Sequence, residues 1–106
     1  MSEFRKITPA LFVAASLSLA IAAPAFAKLK GAELIGQAKF TLDAARMAAL
    51  KARPGKITDQ ELEREKGGSG LRYSFDITSG GKPYEVGVDA KTGAILENVL
   101  EGKNPD

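Results

Sequence analysis

The sequence predicts a two-layer α+β domain, in which one main N-terminal helix packs on an antiparallel meander of three or four strands. Two observations predict this fold class. A helix-forming segment with an apolar stripe runs from Thr41 to Ala52, and apolar and polar residues alternate from Leu71 onward. Each pattern has one apolar side, and packing the helix on the sheet buries both sides at once.

The predicted helix has start and stop signals at its two ends. The Thr41 hydroxyl can accept a free backbone N–H of the first turn, and Asp43 lies where the helix dipole favours a negative charge. Pro54-Gly55 ends the helix. Apolar residues recur at helical spacing at Leu42, Ala45, Ala49 and Ala52.

Three strands are predicted beyond the helix. Leu71 to Ser79 alternates, with Leu71, Tyr73, Phe75 and Ile77 on one face, so we expect one buried and one wet face. After a glycine turn, the second strand runs from Tyr84 to Asp89, and the third from Ala94 to Leu100. Residues 57–66 are ambiguous, because a helical capping-box pattern is followed at once by a glycine-rich turn and an evident strand.

The N-terminal residues have the layout of a secretory signal peptide. A short head with Arg5 and Lys6 precedes an apolar run from Ala10 to Ala23, and an A-x-A pattern ends at Ala27. We predict cleavage between Ala27 and Lys28 and a periplasmic location. The alternative is an uncleaved anchor, but the apolar run is short for a membrane span of roughly 20 residues.

The chain therefore divides into four predicted parts: a signal peptide (1–27), a lead-in (28–39), a domain (40–100) and a polar tail (101–106). We expect no stable membrane insertion after cleavage. The oligomeric state cannot be read from the sequence.

Composition excludes several classes of site. The 106 residues contain no Cys and no His, which excludes Cys–His and Ser–His nucleophilic pairs and makes zinc, copper or iron sites improbable. Fifteen Lys and Arg against thirteen Asp and Glu give a formal charge of +2, with no basic stripe for nucleic acid. We predict no catalytic residues, no cofactor and no metal, and hence a protein that is not an enzyme.

The stretch from Asp89 to Gly93 allows two interpretations. Asp89 and Thr92 could be oxygen ligands of a cation, but a calcium loop needs alternating carboxylates, and Lys91 lies inside this one. We favour a turn, in which the Asp89 side chain bonds to the backbone and Gly93 takes positive φ. Asp89 and Gly93 are then structural, like Thr41 and Pro54-Gly55.

Two groups of residues are candidates for binding a protein partner. Glu61, Glu63 and Glu65 form an acidic row that suits a cationic partner or a divalent ion, although a charged edge exposed to solvent is the more common role. Tyr73 and Tyr84 are candidate interface anchors, although such residues more often fill a core with the hydroxyl at its rim.

These motifs together resemble the PepSY domain, a module also found in propeptides of thermolysin-like metalloproteases. The resemblance runs from about Phe40 to Val99 and is most specific from Glu85 to Leu96, read as E-V-x-V-D-A-x-T-G-x-I-L. Pro54-Gly55 and Glu61-Leu-Glu63 add to it. In that family the stretch after Pro-Gly is the first strand of the sheet, so the resemblance implies a strand from Ile57 to Arg64.

The resemblance also implies a function. Members are proposed to inhibit or restrain peptidases, which here is expected to occur in trans. An extended peptide added to a sheet edge is a plausible mode, with the charged first strand and the last strand as candidate edges. Two other functions stay open: a small-ligand or ion-binding protein of the cell envelope, and a structural interaction module of the envelope.

Overall fold

The computed structural model describes residues 27–102, which form one five-stranded sheet with two helical segments. The predicted signal peptide lies outside this range, except for Ala27, and so does most of the predicted tail. The elements in chain order are β1 (Leu29–Lys30), a 3₁₀ helix (Ala32–Gln37), α1 (Leu42–Ala52), β2 (Lys56–Arg64), β3 (Leu71–Ser79), β4 (Lys82–Asp89) and β5 (Ile95–Leu100).

The sheet follows the chain, with strand order β1-β2-β3-β4-β5. Strands β2 to β5 pair antiparallel, as the alternating patterns predict. The prediction of three or four antiparallel strands is nevertheless wrong at the N-terminal side, where β1 adds a fifth strand parallel to β2. Two residues are too few to show an alternating pattern, so tertiary pairing alone reveals this strand.

Helix α1 begins where the sequence places it. Thr41 is the N-cap, and its hydroxyl accepts the Ala44 N–H at 3.1 Å. Ala45 and Ala49 have no exposed surface, because the helix lies directly on the sheet. Met47, on the opposite side of the helix, is 71% exposed. The small alanine side chains therefore let the helix approach the sheet closely.

The ambiguous segment after the helix is strand β2, as the resemblance implied. Its buried residues are Ile57, Gln60 and Leu62, a spacing that an uninterrupted strand cannot place on one face. A register shift between Ile57 and Asp59 resolves this, because the extra residue of the bulge returns Gln60 to the buried face. Cross-strand pairing thus overrides the helical propensity of this stretch.

The core lies between α1 and one face of the sheet, which we call the helix-side face. The fully buried aromatic residues are Tyr73 and Phe75 on β3, and Leu62, Ile77, Val86 and Val88 surround them. The Tyr73 hydroxyl donates to the Phe40 carbonyl at 2.7 Å, so the polar end of the ring is satisfied. Leu29, Leu34 and Ala38 of the lead-in pack against the same core.

The other face of β3 is less wet than the alternation predicts. Arg72 is 8% exposed and Ser74 is 9% exposed, although both point away from the core. Neighbouring side chains cover them: Arg72 donates to the Lys66 carbonyl and to Glu97, and Ser74 donates to Glu63. A cross-strand layer of polar side chains therefore shields this face without a second helix.

Candidate functional site

The segment Asp89–Gly93, here called the Asp89 turn, connects β4 to β5. The buried carboxylate of Asp89 accepts the Ser69 N–H at 2.6 Å and the Ser69 hydroxyl at 2.8 Å. It also accepts the Lys91 N–H at 2.8 Å and the Thr92 N–H at 3.1 Å. One side chain thus joins the β2–β3 loop to the β4–β5 turn.

These four donors determine the ionisation of Asp89. Burial alone would raise the pKa of this carboxyl, but the bonds from Ser69, Lys91 and Thr92 outweigh it and lower the pKa to about 2. Oδ1 accepts three of these bonds and Oδ2 accepts the fourth, so the carboxylate is largely occupied by donors of the protein itself. This geometry is that of a turn rather than a cation loop.

The Asp89 turn also holds the start of helix α1. The Ala90 carbonyl accepts the N–H groups of Lys39 and Phe40, at 2.9 and 2.8 Å. Gly93 has φ of 82°, and a Cβ there would overlap the Phe40 ring. Only glycine satisfies both the backbone and the packing at this position.

Pro54-Gly55 meets the sheet at its opposite end. The Pro54 carbonyl accepts the Ser79 hydroxyl at 2.6 Å, and a Cβ at Gly55 would overlap the Thr78 carbonyl. The sequence motifs at Thr41, Pro54-Gly55 and the Asp89 turn all lie at junctions between the helix and the sheet.

The face of the sheet away from α1, here called the acidic face, is the most unusual surface of the described chain. Register places acidic side chains of four neighbouring strands on it, because Asp59 lies opposite Asp76, Asp76 opposite Glu85, and Gly87 opposite Glu97. Seven acidic residues share this face: Asp59, Glu61, Glu63, Asp76, Glu85, Glu97 and Glu101.

Few cations balance this charge. Lys30 pairs with Asp59 at 2.9 Å at one border, and Arg72 pairs with Glu97 at 3.2 Å. Lys56, opposite Thr78, also lies on this face, and within the described range 27–102 no ion pair involves it. Among residues 27–102, no ion pair involves Glu85 or Glu101. The near-neutral charge of the whole chain therefore conceals a strongly negative surface.

The excess of negative charge alters the ionisation of these groups. Partial burial, followed by repulsion from Glu97 and Glu101, raises the pKa of Glu85 to about 7. Burial also raises the pKa of Asp76, with Glu101 adding to it, and the pKa of Glu63, with Glu61 and Glu65 adding to it. Ionised carboxylates are thus disfavoured here, and a cationic partner would relieve their repulsion.

Some of the partner-binding candidates predicted from the sequence lie on the acidic face, and others lie on the helix-side face. Glu61 and Glu63 lie on the acidic face, and Glu65 follows the end of β2 at its border. Tyr73 has no exposed surface, so the prediction that it could anchor a partner is wrong. Tyr84 is half-buried on the helix-side face, with the Arg53 guanidinium 3.8 Å above the ring centre.

Sequence reasoning missed most of the acidic face. Asp76, Glu85 and Glu97 are at polar positions of three different strands, and Glu101 directly follows β5. Each looks like an ordinary solvent-facing residue when its strand is read alone. The signal available in the sequence was the coincidence of acidic residues at the polar positions of successive antiparallel strands.

Strand β5 forms a free edge next to this face. Among residues 27–102, no strand pairs with the side of β5 that points away from β4. Three large apolar residues of β5 are partly exposed: Ile95 at 42%, Val99 at 46% and Leu100 at 41%. Edge strands are usually protected by charge, proline or a cover, so this edge is suited to pairing with another chain.

The other surface features of the described residues give weaker indications of a binding site. A small open pocket borders Phe40, Leu42 and Tyr73, but the Tyr73 hydroxyl is already bonded within the fold. Within the described range 27–102, no group of three or more Asp, Glu, His or Cys residues is placed to hold a metal ion. No helix in that range is long and apolar enough to cross a membrane.

The chain matches one protein family over most of the described domain. Residues 39–98, more than half of the chain, match the model of the family described as PepSY, peptidase propeptide and YPEB domain. The chain belongs to the PepSY family. Searches of curated proteins and of solved structures give no match.

The PepSY match spans α1, β2, β3, β4 and most of β5, so it includes both the Asp89 turn and the greater part of the acidic face. PepSY domains are generally non-catalytic and resemble propeptides or inhibitors. They are typically extracellular or periplasmic. The strand β1 and the 3₁₀ helix precede the match.

Proposed function

We propose that this PepSY protein is a non-catalytic binding module that is exported to the periplasm and inhibits or regulates a peptidase in trans. The observation that supports this most directly is the family match over residues 39–98. The acidic face and the free edge of β5 agree with a role in protein binding, since they combine unbalanced charge with exposed apolar side chains.

Export rests on the N-terminal layout of residues 1–27, which precedes the folded domain. Processing between Ala27 and Lys28 would leave a chain that begins one residue before β1. Intact-mass measurement of the protein recovered from a periplasmic fraction tests this part. A mass that still includes residues 1–27 would contradict it.

Inhibition is tested with peptidase activities of the envelope of the same cells. The purified protein is titrated into a periplasmic extract, and cleavage of a set of unrelated peptide substrates is followed. We expect at least one activity to fall in a saturable manner, and that peptidase to be recovered with the protein on an affinity support. If saturating protein slows none of the activities, the proposed function is wrong.

A further inference from the structure

We propose that the free edge of β5 takes an extended, lysine- or arginine-rich segment of the partner protein as a sixth strand, with the basic side chains lying over the acidic face. This inference rests on the proposed function and specifies how the partner binds. It follows from three properties of β5: its unpaired backbone, its exposed apolar residues and the charge beside it.

The backbone of β5 is available for pairing, whereas that of β2 is partly occupied. On β2, the outer edge is taken by β1 at Gln60 and Glu61, and Gly31 lies against the Leu62 carbonyl. On β5, the Glu101 N–H bonds inward to Pro83. By antiparallel alternation along the regular part of β5, the backbone N–H groups of Asn98 and Leu100 therefore point outward.

The side chains of β5 define what the added strand would meet. Val99 lies opposite Glu85 and Glu97 opposite Gly87, so both project from the acidic face. Leu100 lies opposite Tyr84, on the helix-side face. A strand beside β5 would place alternate side chains within about 5.5 Å of Val99 and its neighbours on the acidic face.

Two kinds of strand could pair with the free edge of β5, a second copy of this chain or a segment of another protein, and their charges distinguish them. A second copy of the chain pairing β5 with β5 would bring two sets of Glu97 and Glu101 onto one face and add to the repulsion at Glu85. A segment with Lys or Arg at alternate positions would instead reach Glu85 and Glu101, which lack a cation within the described residues. Charge complementarity therefore favours a basic segment of a different protein.

The test uses the protein as recovered from expressing cells and a blocked peptide that alternates Lys and Val over six residues, the length of β5. One control peptide replaces Lys with Glu. A second keeps the Lys–Val sequence but carries an N-methyl group on every interior amide, which removes backbone donors and keeps the charge. Binding is followed by calorimetry and by NMR of the protein amides.

We expect the Lys–Val peptide to bind and to slow hydrogen exchange at the amides of Asn98 and Leu100, while both control peptides fail to bind. Val99→Lys should weaken binding about tenfold, because it places a like charge beside the added strand. Met47→Lys is the matched control, since it makes the same kind of change at an exposed residue of α1 and should leave binding unchanged.

Three results would overturn the inference. The N-methylated peptide could bind as well as its parent, which would mean attraction without strand pairing. The amide changes could fall outside β5. The protein could sediment as a dimer with its β5 amides already protected, which would make a second copy the occupant.

Failure of the inference and failure of the proposed function give different results. If a peptidase is inhibited equally by the parent protein and by Val99→Lys, the regulatory function stands and the β5 edge is not its means. If no peptidase is inhibited but the Lys–Val peptide still pairs with β5, the edge is a binding site and the inhibitor role is wrong.

Discussion

The Asp89 turn and the acidic face contain the same chemical group in opposite circumstances. Asp89 is buried but accepts four hydrogen bonds, and its pKa falls to about 2. Glu85 is less buried, lies among other carboxylates, and its pKa rises to about 7. The number of donors around a carboxylate, more than its burial, decides whether its charge stabilises this fold.

The two regions also differ in whether the fold satisfies their carboxylates. The carboxylate of Asp89 has its donors supplied by the fold and needs nothing further. The carboxylates of the acidic face repel one another, and the fold tolerates them at some loss of stability. Such a loss is common where residues serve binding rather than folding.

The largest expected effect comes from Asp89→Asn, which keeps the shape and removes the charge. The amide offers one acceptor where the carboxylate offers two, so the Ser69, Lys91 and Thr92 N–H groups can no longer all be satisfied. We expect the free energy of unfolding at pH 7 to fall by about 2 kcal/mol. Urea unfolding measures the change.

The stability difference between the parent and Asp89→Asn should depend on pH. A lowered pKa contributes stability that is present above the ordinary pKa of 3.8 and is lost as pH falls toward about 2. The difference between the parent and the variant should therefore shrink below pH 4. Glu33→Gln, at an exposed residue that has no ion pair among residues 27–102, is the control. A deficit that is independent of pH would show that the charge of Asp89 is not what stabilises the turn.

Glu85→Gln should have a smaller effect in the opposite direction. A raised pKa means that the folded state holds a proton that the unfolded chain has released, so stability falls as pH rises from about 4.5 to about 7. The neutral amide avoids this loss. We expect Glu85→Gln to be more stable than the parent by about 1 kcal/mol at pH 8, after allowance for solvent screening, and equal to it below about pH 4.

Glu33→Gln, at an exposed position of the 3₁₀ helix, is the matched control for Glu85→Gln and should show no gain in the free energy of unfolding at pH 8. A Glu85→Gln variant that is less stable than the parent at pH 8 would mean that the Glu85 carboxylate is satisfied in the folded state. The contrast with Asp89 would then disappear.

The smallest expected effect is that of salt. Raising the ionic strength from about 0.05 to about 0.5 M shortens the range of repulsion between partly exposed carboxylates. The parent protein should gain a few tenths of a kcal/mol at pH 8, and Glu85→Gln should gain less. Thermal unfolding at several salt concentrations measures this, and equal gains in the two proteins would place the repulsion elsewhere.

Much of the fold was predictable because its signals are local. The Thr41 cap, the alanine stripe and the alternating residue types of β3 and β4 each depend on neighbours in sequence, and the helix and the two strands that they predict are present in the structure. Strand β2 could not be chosen from propensity, since its bulge breaks the alternation. Strand β1 was missed because a two-residue pairing leaves no periodic pattern.

The sequence by itself determined the layers of this protein and the position of its helix, because capping and periodicity along short segments decide them. Only the tertiary structure decided the candidate site. Strand register brings the carboxylates of four strands onto one face and leaves β5 without a neighbour. Charges far apart in the chain interact only after the strands pair, so the overall charge balance gave no sign of that face.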